Sequence, residues 1–205
     1  MKSHLAAVPE PEVLEPDEGA AAHHARKFLN ALGVRCDGPG TIDTPRRMAQ
    51  AYAALLASPE FDLTTFPNAE GYDEMVTVKD IPVRSVCEHH VLPFTGVAHV
   101  GYLPGDRILG LSKFARVVEM FARQPQVQER LTVQIADWLD VNLAPRGVGV
   151  VIEAEHQCMT LRGVQAAGTT TCTSALRGML RDRPQTRAEF LASLDRQGGR
   201  SWRAR

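Results

Sequence analysis

The chain has 205 residues, of which 44% are hydrophobic and 23% charged, values typical of one globular domain with at most a small appended segment. Its formal net charge of -1 argues against a general nucleic-acid or membrane-surface binder, which needs a basic excess. No apolar leader segment follows the N-terminus, and no window approaches the roughly 20 apolar residues of a membrane span, so we expect a cytoplasmic protein without nucleic-acid or membrane partners.

The first part of the chain is predicted to be an acidic tail followed by helices. Residues 1–19 combine prolines with acidic residues and hold too little apolar surface to offset the entropy of ordering, so we expect a flexible tail. Residues 20–70 are the predicted N-terminal helical segment. Its first helix runs from Ala20 to a stop at Gly33. Its second helix follows the sequence DTP at 43–45, in which a capping residue precedes a proline suited to the first helical turn.

Residues 71–195 are predicted to form the main, catalytic domain. Alternating and β-rich runs at residues 75–80 and 97–102 predict two strands. A later run, GVGVVIEAEHQC, predicts another strand. Because strand side chains alternate between faces, His156 and Cys158 are expected to share one face of that strand.

Two amphipathic helices are expected between these strands. Ser112 is predicted to cap the first helix and Pro125 to open the second, which carries an apolar stripe. A final helix is predicted to begin with the capping-box pattern from Thr186 to Glu189, before a basic tail at residues 196–205. Strands, two helices and strands again indicate an α+β domain with helices covering one face of a mainly antiparallel sheet.

Cys87, His90 and Cys158 are candidate metal ligands. In a cytoplasmic chain, four cysteines are more often free thiols or ligands than disulfides. Two thiolates and one imidazole suit zinc, and three protein ligands leave the fourth position open, as at catalytic sites. The residues alone leave open whether His89 or His90 faces the ion. They also leave open whether the cysteines are merely small buried hydrophobic residues, and whether Cys172 completes a structural site.

Charged residues near two helix starts are candidate substrate contacts. Lys113 and Arg116 lie near a helix N-terminus, where free N–H groups favour an anion such as phosphate, and Arg162 could add a guanidinium. Gln128 and Glu129 lie off the apolar stripe of their helix, and the Glu129 carboxylate could accept two hydrogen bonds from guanine. Taken alone, Lys113, Arg116, Arg162 and Glu129 are more simply explained as solvated surface residues.

Four motifs together closely resemble GTP cyclohydrolase I: CEHHxLPFxG, GLSKxARxVExFARxxQVQERLT, EAEHxCMxxRG and TSALRG. The similarity runs in order from about residue 43 to residue 191, and it covers the tails and the first helix only weakly. The resemblance implies a T-fold, an antiparallel sheet backed by two long antiparallel helices. It also implies a homo-oligomer, a ring-shaped decamer with active sites between subunits.

The resemblance further implies a zinc-dependent hydrolase. Such an enzyme converts GTP and water to 7,8-dihydroneopterin triphosphate and formate, the first step of tetrahydrofolate or other pterin biosynthesis. Zinc would be held by Cys87, His90 and Cys158, with water in the fourth position.

Roles for other residues follow from the same motifs. His156 would donate a proton to the purine, His89 would assist, and Ser112 would transfer a proton at the ribose. The remaining implied contacts are Lys113, Arg116 and Arg162 on the triphosphate, with Gln128 and Glu129 near the guanine.

Two other functions fit parts of the sequence. One is a zinc-containing GTP-binding regulatory protein without turnover, which His89 and His156 argue against because they serve proton transfer rather than affinity. The other is a related T-fold enzyme acting on another purine or pterin, which Glu129 and the predicted triphosphate contacts argue against.

Overall fold

A computed structural model describes residues 15–60 and 62–194. The predicted acidic tail at 1–19 lies mostly, and the basic tail at 196–205 entirely, outside the described residues. The helices of the described part are α1 (Glu18–Ala31), α2 (Thr44–Leu56), α3 (Leu111–Ala122), α4 (Gln128–Leu143), α5 (Gln157–Thr160), α6 (Met179–Asp182) and α7 (Pro184–Leu194). Its strands are β1 (Thr65–Pro67), β2 (Val76–Cys87), β3 (Pro93–Leu103), β4 (Arg107–Leu109), β5 (Pro125–Gln126), β6 (Gly147–His156) and β7 (Thr171–Gly178). None of these helices is long and apolar enough to cross a bilayer.

The described residues divide into two compact units, one that ends at Ala57 and one that begins at Ser58. The first unit contains α1 and α2. The Arg26 guanidinium donates hydrogen bonds to the carbonyl oxygens of Cys36 (2.7 Å) and Ile42 (2.9 Å), and it thereby fixes the connection between the two helices. The second unit contains all the strands and the other helices. The domain boundaries given by the sequence stay a prediction.

The first helix of the first unit begins earlier than the sequence prediction, whereas the second begins after Asp43, as predicted. α1 begins at Glu18 rather than at Ala20, because the Asp17 carboxylate caps it by accepting a hydrogen bond from the Ala20 N–H (2.8 Å). Asp43 occupies the N-cap position of α2, but its side chain makes no capping hydrogen bond and lies 3.5 Å from the Arg46 guanidinium instead.

A five-stranded sheet with the order β5-β2-β3-β6-β7 organises the second unit. Four of its strands are antiparallel neighbours, as expected, whereas β5 pairs in parallel with the end of β2. There Val86 lies opposite Pro125, and Cys87 lies opposite Gln126. The prediction that Pro125 opens a helix is therefore wrong. α4 begins only at Gln128, because the residue before it is still extended.

Helices α3 and α4 cover one face of this sheet and enclose the main core. Large apolar side chains of the two helices pack against those on the facing side of the sheet. Burial of this apolar surface supplies the main stabilisation of the unit. Fully buried members of the core include Phe94, Val100, Phe114, Phe121, Leu131, Ile135, Val150 and Ile152.

Two predicted helix caps in this unit are wrong. The N-cap of α3 is Gly110, and Ser112 is the second helical residue. α7 begins at Pro184, so Thr186 lies inside its first turn rather than at its cap. Proline suits a helix start because its missing N–H would have no partner there and its φ is already helical.

Glycines allow two close approaches in the sheet. On the face opposite α3 and α4, the Phe190 ring of α7 lies so close that a Cβ at Gly101 or Gly149 would come within 2.6 or 2.7 Å of it. Between β3 and β6, a Cβ at Gly96 would lie 1.9 Å from the Glu153 carbonyl oxygen. At Gly101 and Gly149 the neighbouring group is a side chain. At Gly96 it is the backbone of β6, which can move away only at a large cost in free energy.

We predict that Gly96→Ala destabilises the second unit by about 2–3 kcal/mol, because the added methyl group must push β6 away from β3. Urea denaturation measures this change. Gly40→Ala serves as the control, since a Cβ at Gly40 meets nothing within 4 Å, and its effect should stay within about 0.5 kcal/mol. An unchanged unfolding midpoint for Gly96→Ala would contradict the strand register described above.

Candidate metal centre and active site

The turn between β2 and β3 carries the sequence CEHH. Its backbone is closed by two hydrogen bonds, from the Cys87 N–H to the Leu92 carbonyl oxygen (2.8 Å) and from the Val91 N–H to the Cys87 carbonyl oxygen (2.8 Å). Val91 has a positive φ of 54°, which is unusual for a β-branched residue and marks a tightly constrained turn. Within this turn, Nδ1 of His90 lies 3.8 Å and Nδ1 of His89 lies 3.7 Å from the Cys87 sulfur.

Cys158 reaches the same place from the other side of β3. Strand β6 ends at His156, and Cys158 lies in the single turn of α5, so the prediction that His156 and Cys158 share one strand face is wrong. The helical turn nevertheless brings the third donor in. One ligand atom each from Cys87, His90 and Cys158 lie within 4.8 Å of one another.

The chemistry of these three donors fits a divalent cation that prefers sulfur and nitrogen. Burial, and next the Cys87 thiol beside it, raise the pKa of Cys158, while Arg162 lowers it. A bound cation instead favours the deprotonated thiolates, because it stabilises their negative charge directly. Cys172 is exposed on β7 and does not belong to this group. Among the described residues, the donor group therefore has three members, and no further cysteine supplies a fourth ligand.

His156 is the last residue of β6 and lies two residues before Cys158. Its imidazole is stacked on the Phe94 ring, with centroids 4.4 Å apart and an angle of 11° between the planes. Burial lowers the pKa of His156, and the negative charge of Glu129 opposes that effect in part. The imidazole is therefore held in its neutral form at neutral pH.

Gln128 fixes which ring nitrogen of His156 carries the proton. Its amide nitrogen donates to the carbonyl oxygens of Ile152 (3.1 Å) and Thr171 (3.0 Å) and to the Thr173 hydroxyl (3.1 Å). Carbonyl oxygens only accept, so the amide cannot be reversed, and its oxygen faces Nε2 of His156 at 2.8 Å. Nε2 must therefore be the protonated nitrogen, and Nδ1 is the unprotonated one.

The sequence did not predict that Gln128 is buried. Its position off the apolar stripe indicated a surface residue, but it is 1% exposed. No signal in the chain order links Gln128 with His156, because the partners of a buried amide depend on tertiary packing. Only the presence of a neighbouring polar residue, Thr132, on the next turn hints at a polar patch, and its hydroxyl contacts Thr173 (2.7 Å).

Other predicted site residues lie at the same end of the sheet. Glu129 is exposed at the start of α4 and acts electrostatically on His156. Arg162 is exposed in the segment after α5 and acts electrostatically on Cys158. His89 is also exposed.

Ser112, Lys113 and Arg116 lie at the opposite end of the sheet. Strand β3 connects the two ends: Phe94 stacks on His156, and Tyr102 packs against Phe114 in the first turn of α3. Eight residues at about 3.3 Å each separate these two aromatic residues by roughly 26 Å. One chain therefore does not bring the basic residues of α3 together with the metal donors.

The profile of the GTP cyclohydrolase I family matches residues 21–195, which is most of the chain. The chain belongs to the GTP cyclohydrolase I family. The match includes the CEHH turn, α4 and the segment from His156 to Arg162.

Curated members of the GTP cyclohydrolase I family are closely similar to this chain. The protein named GTP cyclohydrolase 1 from Streptomyces avermitilis is 54% identical over 184 residues, which cover 87% of this chain and 90% of that protein. The protein of the same name from Streptomyces coelicolor is 54% identical over 179 residues, covering 84% and 89%. The one from Mycolicibacterium gilvum is 52% identical over 181 residues, covering 85% and 89%.

We predict that nitrogen NMR at neutral pH finds His156 neutral with its proton on Nε2, assigned by the loss of these signals in His156→Asn. Because its folded-state pKa is lowered, the unfolded chain takes up the proton first, near pH 6.5, as the pH falls. The contribution of His156 to the free energy of unfolding is therefore complete above about pH 6.5 and is lost as the pH falls from there through the lower folded-state pKa.

Two variants refine the NMR experiment. Glu129→Gln should keep the Nε2 proton and lower the pKa of His156 further, because it removes the charge that opposes the effect of burial. Gln128→Leu should allow the Nδ1-protonated form to appear, since the acceptor at Nε2 is gone. A proton found on Nδ1 in the unsubstituted chain would refute the assigned network.

Proposed function

We propose that the chain converts GTP and water to 7,8-dihydroneopterin triphosphate and formate. One observation carries the proposal: in a chain of the GTP cyclohydrolase I family, the donors Cys87, His90 and Cys158 converge, and a neutral, stacked His156 lies two residues before Cys158. Metal donors beside a proton-transfer group are what hydrolysis at a purine ring carbon requires. The entry to tetrahydrofolate or pterin biosynthesis is proposed on the same grounds.

Zinc is the proposed ion. Two thiolates and one imidazole form a donor set typical of zinc, and three protein ligands leave one position open, as at catalytic zinc sites. When bound, zinc supplies the Lewis acidity that makes water nucleophilic at neutral pH. The turn after β2 and the helical turn α5 together would hold it.

His156 is proposed to move the proton in the first step. Gln128 occupies Nε2, so Nδ1 is the atom that accepts a proton as water is activated and then delivers it to the purine nitrogen. The stacking on Phe94 keeps the ring plane fixed during this transfer. His89, beside the Cys87 sulfur, is proposed to assist.

Substrate contacts are proposed around this centre. The Glu129 carboxylate accepts hydrogen bonds from the guanine N1–H and amino group, and Gln128 contributes beside the guanine by holding His156 in place. Arg162 binds the triphosphate together with Lys113 and Arg116. Ser112 transfers a proton at the ribose.

We propose that these contacts are completed by association of several chains. Arg162 lies at the metal end of the sheet, whereas Ser112, Lys113 and Arg116 lie at its other end, which supports a site shared between two copies. We infer a T-fold subunit, with α3 and α4 as its two long antiparallel helices, in a ring-shaped decamer. A cytoplasmic location without nucleic-acid or membrane partners stays a prediction from the sequence.

Incubation of the purified chain with GTP tests the activity. We expect formate and a pterin chromophore to appear together, and both to be lost after treatment with a chelator. Cys158→Ser should lose both the metal and turnover, because only two donors remain. Cys172→Ser should keep both, since Cys172 is an exposed residue outside the donor group. GTP binding without formate release would favour the regulatory protein instead, and release by Cys158→Ser would exclude the proposed centre.

Mixing two inactive variants tests the shared site. Cys158→Ser disables the metal end of a chain, and Lys113→Ala disables its α3 end. If each site combines the metal end of one chain with α3 of another, random co-assembly restores about one quarter of the sites. Formate release is measured after joint refolding, with each variant refolded alone as the control. No recovery in verified mixed oligomers would place both ends of the site in one chain.

A further inference from the structure

Glu88 is the member of the CEHH turn to which neither metal binding nor proton transfer assigns a role. It lies between Cys87 and His89, and its side chain is about one-third exposed. One carboxylate oxygen is hydrogen-bonded to the guanidinium of Arg130 on α4. The other carboxylate oxygen lies 3.9 Å from Nε2 of His89. Glu88 therefore connects the turn to the helix that also carries Gln128.

Arg130 is itself held in a fixed position. Its Nε donates to the side-chain oxygen of Gln126 (3.0 Å), and its Nη2 donates to the carbonyl oxygen of Pro125 (3.1 Å) as well as to Glu88. A planar guanidinium with several fixed partners loses its freedom to rotate. Arg130 thus presents a rigid charged group to the turn rather than a mobile surface side chain.

Gln126 joins this arrangement to the buried part of the sheet. Its side chain is buried, and its amide nitrogen donates to the carbonyl oxygen of Phe121 (2.9 Å) and to the side chain of Gln134 (2.8 Å). Its own carbonyl oxygen accepts the Glu88 N–H (3.1 Å). Glu88 is therefore held at both its backbone and its carboxylate by the same pair of neighbours, Gln126 and Arg130.

The contribution of this ion pair to the free energy of folding is too small to be its main effect. The side chains of Arg130 and Glu88 are 45% and 34% exposed, and exposed ion pairs contribute at most about 1 kcal/mol to folding. The contacts do hold the residue between Cys87 and His89 at two points: the Glu88 N–H is bonded to the Gln126 backbone carbonyl oxygen, and the Glu88 carboxylate is bonded to Arg130. The separation of the donor atoms in this turn depends on the direction of the peptide at Glu88.

We propose that Glu88 and Arg130 are positioning residues, which hold the CEHH turn so that Cys87 and His90 stay at metal-binding separation. This inference rests on the metal centre proposed above. Residues that orient metal ligands typically change metal affinity by about 10- to 100-fold when replaced. We therefore expect the variants to lose zinc affinity while the metal-free chain keeps its thermal stability to within a few degrees.

Zinc affinity of the full-length chain, measured by competition with a chromophoric chelator, tests the inference. Arg130→Met and Glu88→Ala should each weaken zinc binding at least tenfold. Glu88→Gln should lose less, since it keeps a neutral acceptor for Arg130. Because the two residues act as one pair, the effects of the two substitutions should not add. The double variant Glu88→Ala, Arg130→Met should bind zinc no more weakly than whichever single variant has the lower zinc affinity. Cobalt(II) absorption of the same variants should show altered visible bands.

Asp137→Asn is the matched control. Asp137 also lies on α4 and also forms an ion pair, with Arg177 at 2.6 Å. Its partner, however, lies on β7 rather than in the CEHH turn. Asp137→Asn should leave zinc affinity unchanged. Equal zinc binding by all variants would overturn the positioning role alone. Failure of the unsubstituted chain to bind zinc would overturn the metal centre and this inference with it.

Discussion

The register of three strands at Phe94 is the constraint on which the site depends. Phe94 near the start of β3 lies opposite Ser85 of β2 on one side and opposite His156 of β6 on the other. Two residues past that point, β2 ends at Cys87, whereas β6 has already ended and the helical turn α5 carries Cys158. Because β2 and β6 both end at this edge of the sheet, the two thiols meet across β3. A shift of one strand by one residue would separate them.

Burial at this end of the sheet favours the uncharged forms of His156 and Cys158. It lowers the pKa of His156, and together with the Cys87 thiol it raises the pKa of Cys158. Positive charge brought to the three donors changes this balance, since thiolates are favoured beside a cation and Nδ1 of His156 remains ready to accept a proton. The same desolvated environment thus serves metal binding and proton transfer together.

Much of the second unit could be predicted from the sequence, because periodicity reports burial directly. The alternation that continues in β6 and the apolar stripes of α3 and α4 are of this kind. The closeness of Cys87 to Cys158 follows from pairing across β3, which no local pattern shows. Local signals also failed where tertiary contacts compete with them: Pro125 pairs with β2 instead of opening a helix, and Ser112 does not cap α3. The hydrogen bonds of Gln128 could not be predicted from the sequence, because they also depend on tertiary contacts.

X-ray absorption at the zinc edge of the purified chain counts the atoms around the ion, and it therefore tests whether the site has an open position. We expect two sulfurs at about 2.3 Å, one imidazole nitrogen and one light atom that is not from a side chain. A third sulfur, or a second imidazole in the remaining position, would mean a closed structural site and would refute the catalytic centre.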